Sequence, residues 1–182
     1  MREIIIRYAE KGEKWTVPLT TADRVARYAF DALELQEGAP DRESLIVVPV
    51  DPSYYPVGFV RVEGTTDAVI CPPETVLGTP LRMGVTRFFM AHVHPDGNVA
   101  PSDDDIITTH QIRQGAQLVG LHCCGHVVIG SNGHYHSILT HTRGTLDLDA
   151  MKAGHQTDLT PQIEVVSAIE LQAERFSMLE LD

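Results

Sequence analysis

Lysine is scarce in this chain. It occurs only at positions 11, 14 and 152 of 182 residues. With 14 Lys and Arg against 25 Asp and Glu, the formal net charge is −11. Binding a phosphate backbone needs clustered Lys or Arg that can displace counterions. The balance therefore argues against nucleic acid as the main partner, leaving open a local patch of Arg61, Arg82 and Arg87. Cysteine is sparse as well. Cys71, Cys123 and Cys124 are too few for a disulfide framework, and the odd count fits a reducing compartment. No apolar run approaches the roughly 18 residues that span a bilayer. The stretch from Met1 to Arg7 is too short for a secretory leader and lacks a small-residue cleavage site. The protein is expected to be cytoplasmic, with no membrane partner.

What remains is an ordinary globular composition, 43% hydrophobic and 21% charged, in a length that suits one domain with or without appendages. Residues 2–8 and 14–19 are apolar-rich around Lys11-Gly12, which predicts an N-terminal β-hairpin over 1–20. Thr20-Thr21-Ala22-Asp23 reads as a helix start, and Val25, Tyr28, Ala29, Ala32 and Leu33 follow at helical spacing. Gln36 to Asp41 ends that helix. Glu43 to Val50 is a nearly continuous apolar run, the pattern of a strand buried on both faces. Strands are expected at 57–63 and 67–71. A short helical piece opens at Pro72-Pro73-Glu74, with Gly78 and Pro80 against its continuation. Arg87 to His94 reads as another buried strand, and Ser102-Asp103-Asp104-Asp105 as the start of a helix running to about Leu118. Residues 121–129 and 134–139 form a hairpin around Asn132-Gly133. Residues 141–158 look irregular, and 161–178 look like an amphipathic helix. The mixture indicates an α/β domain with a central mixed β-sheet flanked by helices.

The chemistry concentrates in His92-Val93-His94-Pro95-Asp96-Gly97-Asn98-Val99-Ala100-Pro101-Ser102-Asp103-Asp104-Asp105. Histidines at i and i+2 of an extended chain point to one face. Pro95 and Gly97 turn the chain, and Asp105 lies in the first turn of the next helix, where it can face both imidazoles. Two neutral imidazoles and one carboxylate leave one tetrahedral position for water, as in a catalytic zinc site. Such an ion lowers the pKa of water towards ~7 and polarises a carbonyl. Glu43, where a polar loop enters a buried strand, is the candidate general base and then acid for the leaving amine. Ser102 can cap the helix or donate to a developing oxyanion. A capping box accounts for Ser102-x-x-Asp105 without any metal. From this chain's composition, however, His-x-His-x7-Ser-x-x-Asp arises by chance only about once per thousand such chains.

Other groups read more plainly. His134-Tyr135-His136 lacks a downstream carboxylate and is expected at the surface. Cys123 and Cys124 of His122-Cys123-Cys124-x-His126 point to opposite faces of a strand, which argues against a shared ion. The pattern also lacks the His-x-Glu and Pro-Cys-x-x-Cys of zinc deaminases.

These residues resemble the JAMM (MPN+) signature in its RadC-like JAB form: an upstream Glu, His-x-His, seven residues, then Ser-x-x-Asp. Gly64-Thr65, Pro72-Pro73-Glu74 and His126-Val127-Val128-Ile129-Gly130 with Tyr135 and Ser137 extend the similarity over about residues 22–140. The resemblance implies a cytidine-deaminase-like three-layer sandwich and zinc-dependent peptide or isopeptide hydrolysis. It implies His92, His94 and Asp105 as metal ligands, Glu43 as catalytic acid/base and Ser102 as a supporting residue. Val93, Asp96 and Asn98 depart from the usual loop His-Asn-His-Pro-Ser-Gly-Asp, which bears on loop shape and substrate. The expected organisation is a hairpin (1–20), the JAB-like domain (21–140) and a C-terminal extension with a helix (141–182). The expected substrate is a peptide or protein, with ubiquitin-like conjugates among the candidates. The alternatives are a non-catalytic metal-containing binding module and a DNA-repair-associated accessory protein.

Overall fold

A computed structural model of the chain describes residues 4–7, 15–64, 72–152 and 162–165, with backbone alone at 4–7 and 162–165. In chain order the elements are β1 (Ile4–Arg7), α1 (Ala22–Ala32), β2 (Ser44–Val50), β3 (Phe59–Glu63), α2 (Pro73–Arg82), β4 (Arg87–His94), α3 (Asp103–Leu118), β5 (His122–Gly130), β6 (His134–Ser137), β7 (Thr142–Thr145), α4 (Leu148–Lys152) and β8 (Gln162–Val165). The strands form one mixed sheet in the order β1-β3-β2-β4-β5-β6-β7-β8. Among the described strands only β4 and β5 run parallel, and α3 is their crossover. A βαβ unit of this kind opens a crevice beyond the carboxyl end of its first strand, here at His94.

The sheet is the middle of three layers. Ile46, Val48, Phe89, Ala91, Val127 and Ile129 point to one face and bury against Val25, Ala29 and Phe30 of α1. Leu45, Val47, Phe88 and Met90 point to the other, against Val76 of α2 and Ile112 and Ala116 of α3. Every residue of β2 is buried, as its unbroken apolar run predicts for a strand covered on both sides. Each of its Leu, Ile and Val side chains contributes roughly 1.5–3 kcal/mol. Cys123 joins the α3-side cluster and Cys124 packs on the α1-side one, as alternation along a strand requires.

Several expectations need correction. β1 pairs antiparallel with β3, not with a strand at 14–19, and residues 15–20 carry no strand. Residues 4–7 thus extend the sheet beyond β3 instead of pairing with residues 15–19. Residues 141–158 contain β7 and α4, and 162–165 are β8, paired with β7 where an amphipathic helix was expected. Open backbone groups on the β6 edge take up these strands, and that demand outweighs weak local patterning. The strand expected at 67–71 and the rest of the 161–178 helix, from 166 onward, lie outside the described residues. α2 continues through Gly78 and Pro80 to Arg82. His136 is buried, with its Nδ1 3.4 Å from Arg143 Nε, while His134 is exposed. Among the described residues no helix is long and apolar enough to cross a membrane.

Candidate metal centre

His92 and His94 share the α2/α3 face of β4, and α3 starts opposite them. Ser102 caps that helix: its Oγ accepts from Asp105 N at 3.1 Å, and Ser102 N donates to Asp105 Oδ2 at 2.8 Å. The Ser102 hydroxyl also donates to Asp105 Oδ2 at 2.7 Å. Its proton is therefore committed to the carboxylate. Of the two roles open to Ser102, the cap is the one formed in this structure.

The cap aims Asp105 at the histidines. Its Oδ1 lies 3.2 Å from His92 Nε2, and its Oδ2 3.7 Å from His94 Nε2. The two Nε2 atoms are 3.0 Å apart. One ligand atom from each of His92, His94 and Asp105 falls within 4.8 Å of the others. His94 Nδ1 donates to the carbonyl of Asn98 at 2.6 Å, which leaves its Nε2 lone pair facing His92 and Asp105. Two borderline imidazole nitrogens and one hard carboxylate oxygen form a donor set that fits a zinc ion.

The loop between β4 and α3 is braced from within. Asp96 Oδ1 accepts from Asn98 N at 2.9 Å, and Asn98 Oδ1 from Ala100 N at 3.0 Å. These Asx turns hold the Asn98 carbonyl under His94. Two of the loop's departures from the usual family sequence thus shape its backbone. Gly130, at the end of β5, lets the loop come close: a Cβ there would meet Gly97 O at 3.0 Å and Asn132 Oδ1 at 2.5 Å.

Burial works to raise the Asp105 pKa, but the neighbouring His92 and His94 rings outweigh it and hold the carboxyl far below the usual carboxylate range. Burial pulls His94 down. The nearby Asp105 carboxylate, the Asn98 carbonyl and the charge of Glu43 overcome this, and its pKa is raised. His126 is lowered well below the ordinary value, first by burial and then by its neighbour His92.

Glu43 is half-buried on the wall of the same cleft, which has a volume of about 1090 Å³. Ser44 pairs with Val93 and Leu45 with His92, so Glu43 comes level with His94. Its carbonyl accepts from Gly64 N at 2.8 Å, which fixes the turn into β2. The structure thus gathers Glu43, His92, His94, Ser102 and Asp105 in one cleft. Leu45, Leu77 and Ile112 supply an apolar floor. The cleft wall carries Glu43, Asp96, Asp104 and Asp105, with no Lys or Arg among the described lining residues.

Reading the sequence missed the part of His126. It is buried on β5, with Nε2 2.9 Å from His92 Nδ1 and Nδ1 2.6 Å from Thr109 Oγ1. The available signal was a polar residue directly before the apolar run Val127, Val128 and Ile129 of a buried strand.

A family model described as the RadC-like JAB domain matches residues 19–144. Among curated relatives, a UPF0758 protein of Trichormus variabilis is 39% identical over 71 residues, which cover 39% of this chain and 29% of the relative. One from Gloeothece citriformis is 34% identical over 120 residues, 66% of this chain and 49% of the relative. One from Coprothermobacter proteolyticus is 27% identical over 120 residues, 65% of this chain and 49% of the relative. The chain thus spans less than half the length of these relatives.

Proposed function

This chain belongs to the RadC-like JAB domain family, and on that premise we propose that it is a zinc-dependent hydrolase of peptide or isopeptide bonds. The observation that carries the reading is the convergence of His92 Nε2, His94 Nε2 and the Asp105 carboxylate within 4.8 Å, in a cleft that also holds Glu43. His92, His94 and Asp105 would hold the ion. Zinc supplies Lewis acidity there, bringing the pKa of water towards ~7 and polarising a carbonyl.

The chain's own residues do the rest. Glu43 takes the proton of the attacking water and delivers it to the leaving amine, a role worth typically ~10²–10⁴ in rate. The Ser102 hydroxyl and backbone N–H hold Asp105 Oδ2 in place. The apolar floor of Leu45, Leu77 and Ile112 receives a substrate side chain and keeps bulk water from the β4 side. The acidic wall favours a neutral or basic peptide or protein segment, a ubiquitin-like conjugate included. It disfavours a phosphodiester in this cleft.

The test compares zinc-loaded wild type with Glu43→Gln on quenched-fluorescence peptide and lysine-isopeptide libraries. The expected result is an unchanged zinc content of one per chain and a loss of hydrolysis of at least ~10²-fold. Full activity in the variant removes Glu43 from the chemistry. Zinc-loaded wild type that cleaves neither library leaves the reading as a metal-containing binding module.

A further inference from the structure

We propose that Thr109 and His126 form a positioning relay that fixes the ring proton of His92 on Nδ1 and leaves its Nε2 lone pair open towards Asp105 and His94. The proposal rests on the metal-site reading above and assigns work to two residues outside it.

Counting protons along the chain of contacts gives the direction. Thr109 Oγ1 lies 2.6 Å from the backbone carbonyl of Asp105. Two oxygens that close need a proton between them, and a carbonyl carries none. The Thr109 hydroxyl therefore donates to Asp105 O. It has only lone pairs left for His126 Nδ1, 2.6 Å away, so His126 Nδ1–H donates to Thr109. A neutral imidazole protonated on Nδ1 is an acceptor at Nε2. His126 Nε2, 2.9 Å from His92 Nδ1, therefore receives the His92 ring proton. His92 Nε2 is then unprotonated and faces His94 Nε2 at 3.0 Å, whose own proton is held on Nδ1 by Asn98. Two opposed lone pairs beside a carboxylate are satisfied by a cation among them.

The relay is buried. Thr109, His126 and His92 are 0%, 3% and 1% exposed, so water does not substitute for a missing partner. It also begins at the carbonyl of Asp105, whose carboxylate completes the site. One residue of α3 thus bonds both the backbone of Asp105 and, through His126 of β5, the imidazole on β4. A partner accepting the far ring proton of a metal-facing histidine typically affects metal affinity by ~10–100-fold. Here that acceptor is a neutral imidazole, so the relay adds no charge of its own to the buried side of the site.

The experiment uses the full chain as wild type, Thr109→Val, Thr109→Ser and His126→Phe, with folding checked by circular dichroism. The first readout is the long-range ¹H–¹⁵N imidazole spectrum of the metal-free proteins at pH 8, with the His92 signals assigned by their loss in His92→Gln. Wild type and Thr109→Ser are expected to show His92 protonated on Nδ1. His126→Phe and Thr109→Val are expected to shift it towards the Nε2–H form or a mixture. The second readout is zinc affinity by chelator competition. His126→Phe is expected to lose ~10–100-fold, Thr109→Val a smaller multiple, and Thr109→Ser to return to the wild-type value. If His126→Phe does not fold, Thr109→Val and its serine counterpart carry the test, since they keep His126 in place. His92 protonated on Nε2 in wild type overturns the proposal. So does zinc affinity in folded His126→Phe and Thr109→Val equal to wild type. Wild type that shows the Nδ1–H form but takes up no zinc upholds the relay and removes the metal reading, which separates the two.

Discussion

Ser102→Ala separates the two duties that converge on one hydroxyl. Ser102 Oγ accepts the orphan N–H of Asp105 at the start of α3 and donates to Asp105 Oδ2 at 2.7 Å. Removing an N-cap hydroxyl costs about 1 kcal/mol. The hydroxyl–carboxylate bond adds about another 1 kcal/mol, below the usual range for charged hydrogen bonds because Ser102 is exposed. The Ser102 N–H bond to Asp105 Oδ2 at 2.8 Å survives in alanine, so the carboxylate is loosened but not released. A total near 2 kcal/mol corresponds to a fall in Tm of roughly 4–8 °C for a domain of this size. That loss belongs to the metal-free protein and is read by thermal unfolding in EDTA. With zinc a second loss is added. A tenfold weaker site forfeits about 1.4 kcal/mol of ligand-linked stability at saturating metal, so the gap between wild type and variant should widen. Ser102→Thr, which keeps the hydroxyl, should recover most of both losses. An unchanged Tm in EDTA refutes the capping account. An identical gap with and without zinc refutes the claim that Ser102 holds Asp105 for a metal.

Other outcomes follow from the same geometry. The raised pKa of His94 means that its contribution to metal-free stability is fully present below its ordinary ~6.5 and is lost as pH rises through the higher folded value. Zinc must displace that proton, so zinc affinity should change in the opposite sense, strengthening by up to about tenfold per pH unit until the site is deprotonated. Tm against pH in EDTA and in zinc should therefore slope in opposite directions over this window, and parallel slopes would contradict the shared site. Gly130→Ala places a Cβ 3.0 Å from Gly97 O and 3.1 Å from Gly97 Cα. Backbone cannot yield cheaply there, so the variant should lose about 1–3 kcal/mol in denaturant unfolding, and a wild-type midpoint would show that the loop does not close on β5. Burial pushes the Cys123 thiol up to about 12, leaving only about 10⁻⁴ thiolate at pH 8. Alkylation mapped by mass spectrometry should leave Cys123 unmodified in native protein, and rapid labelling would contradict its burial.

Much of the centre of the molecule was legible in the linear order of residues. Arg87 to His94 reads as a buried strand, and the strand occupies those residues. Ser102 and Asp105 read as a capping box, and the box is formed. These features depend on neighbours within about four positions, where alternation, cap chemistry and turn residues act directly on the backbone. The sheet edges were not legible. β1 finds β3 across more than fifty residues, and β7 and β8 add to an edge whose open hydrogen bonds exist only once β6 is in place. His136 expected at the surface and found buried is the same failure, because β7 and its Arg143 provide the cover.

The amino-acid order by itself determined the donors and their local aim: two imidazoles on one face of a strand, a turn, and a carboxylate fixed in the first helical turn by its own cap. Only the tertiary structure decided what surrounds them. It brought Glu43 level with His94 through the pairing of β2 with β4, and it set Thr109 and His126, 17 residues apart in sequence, at 2.6 Å behind His92. Capping and alternation are settled by bonds within a few residues. Which ring proton a buried histidine keeps is settled by the groups that three separate elements press against it after water has left.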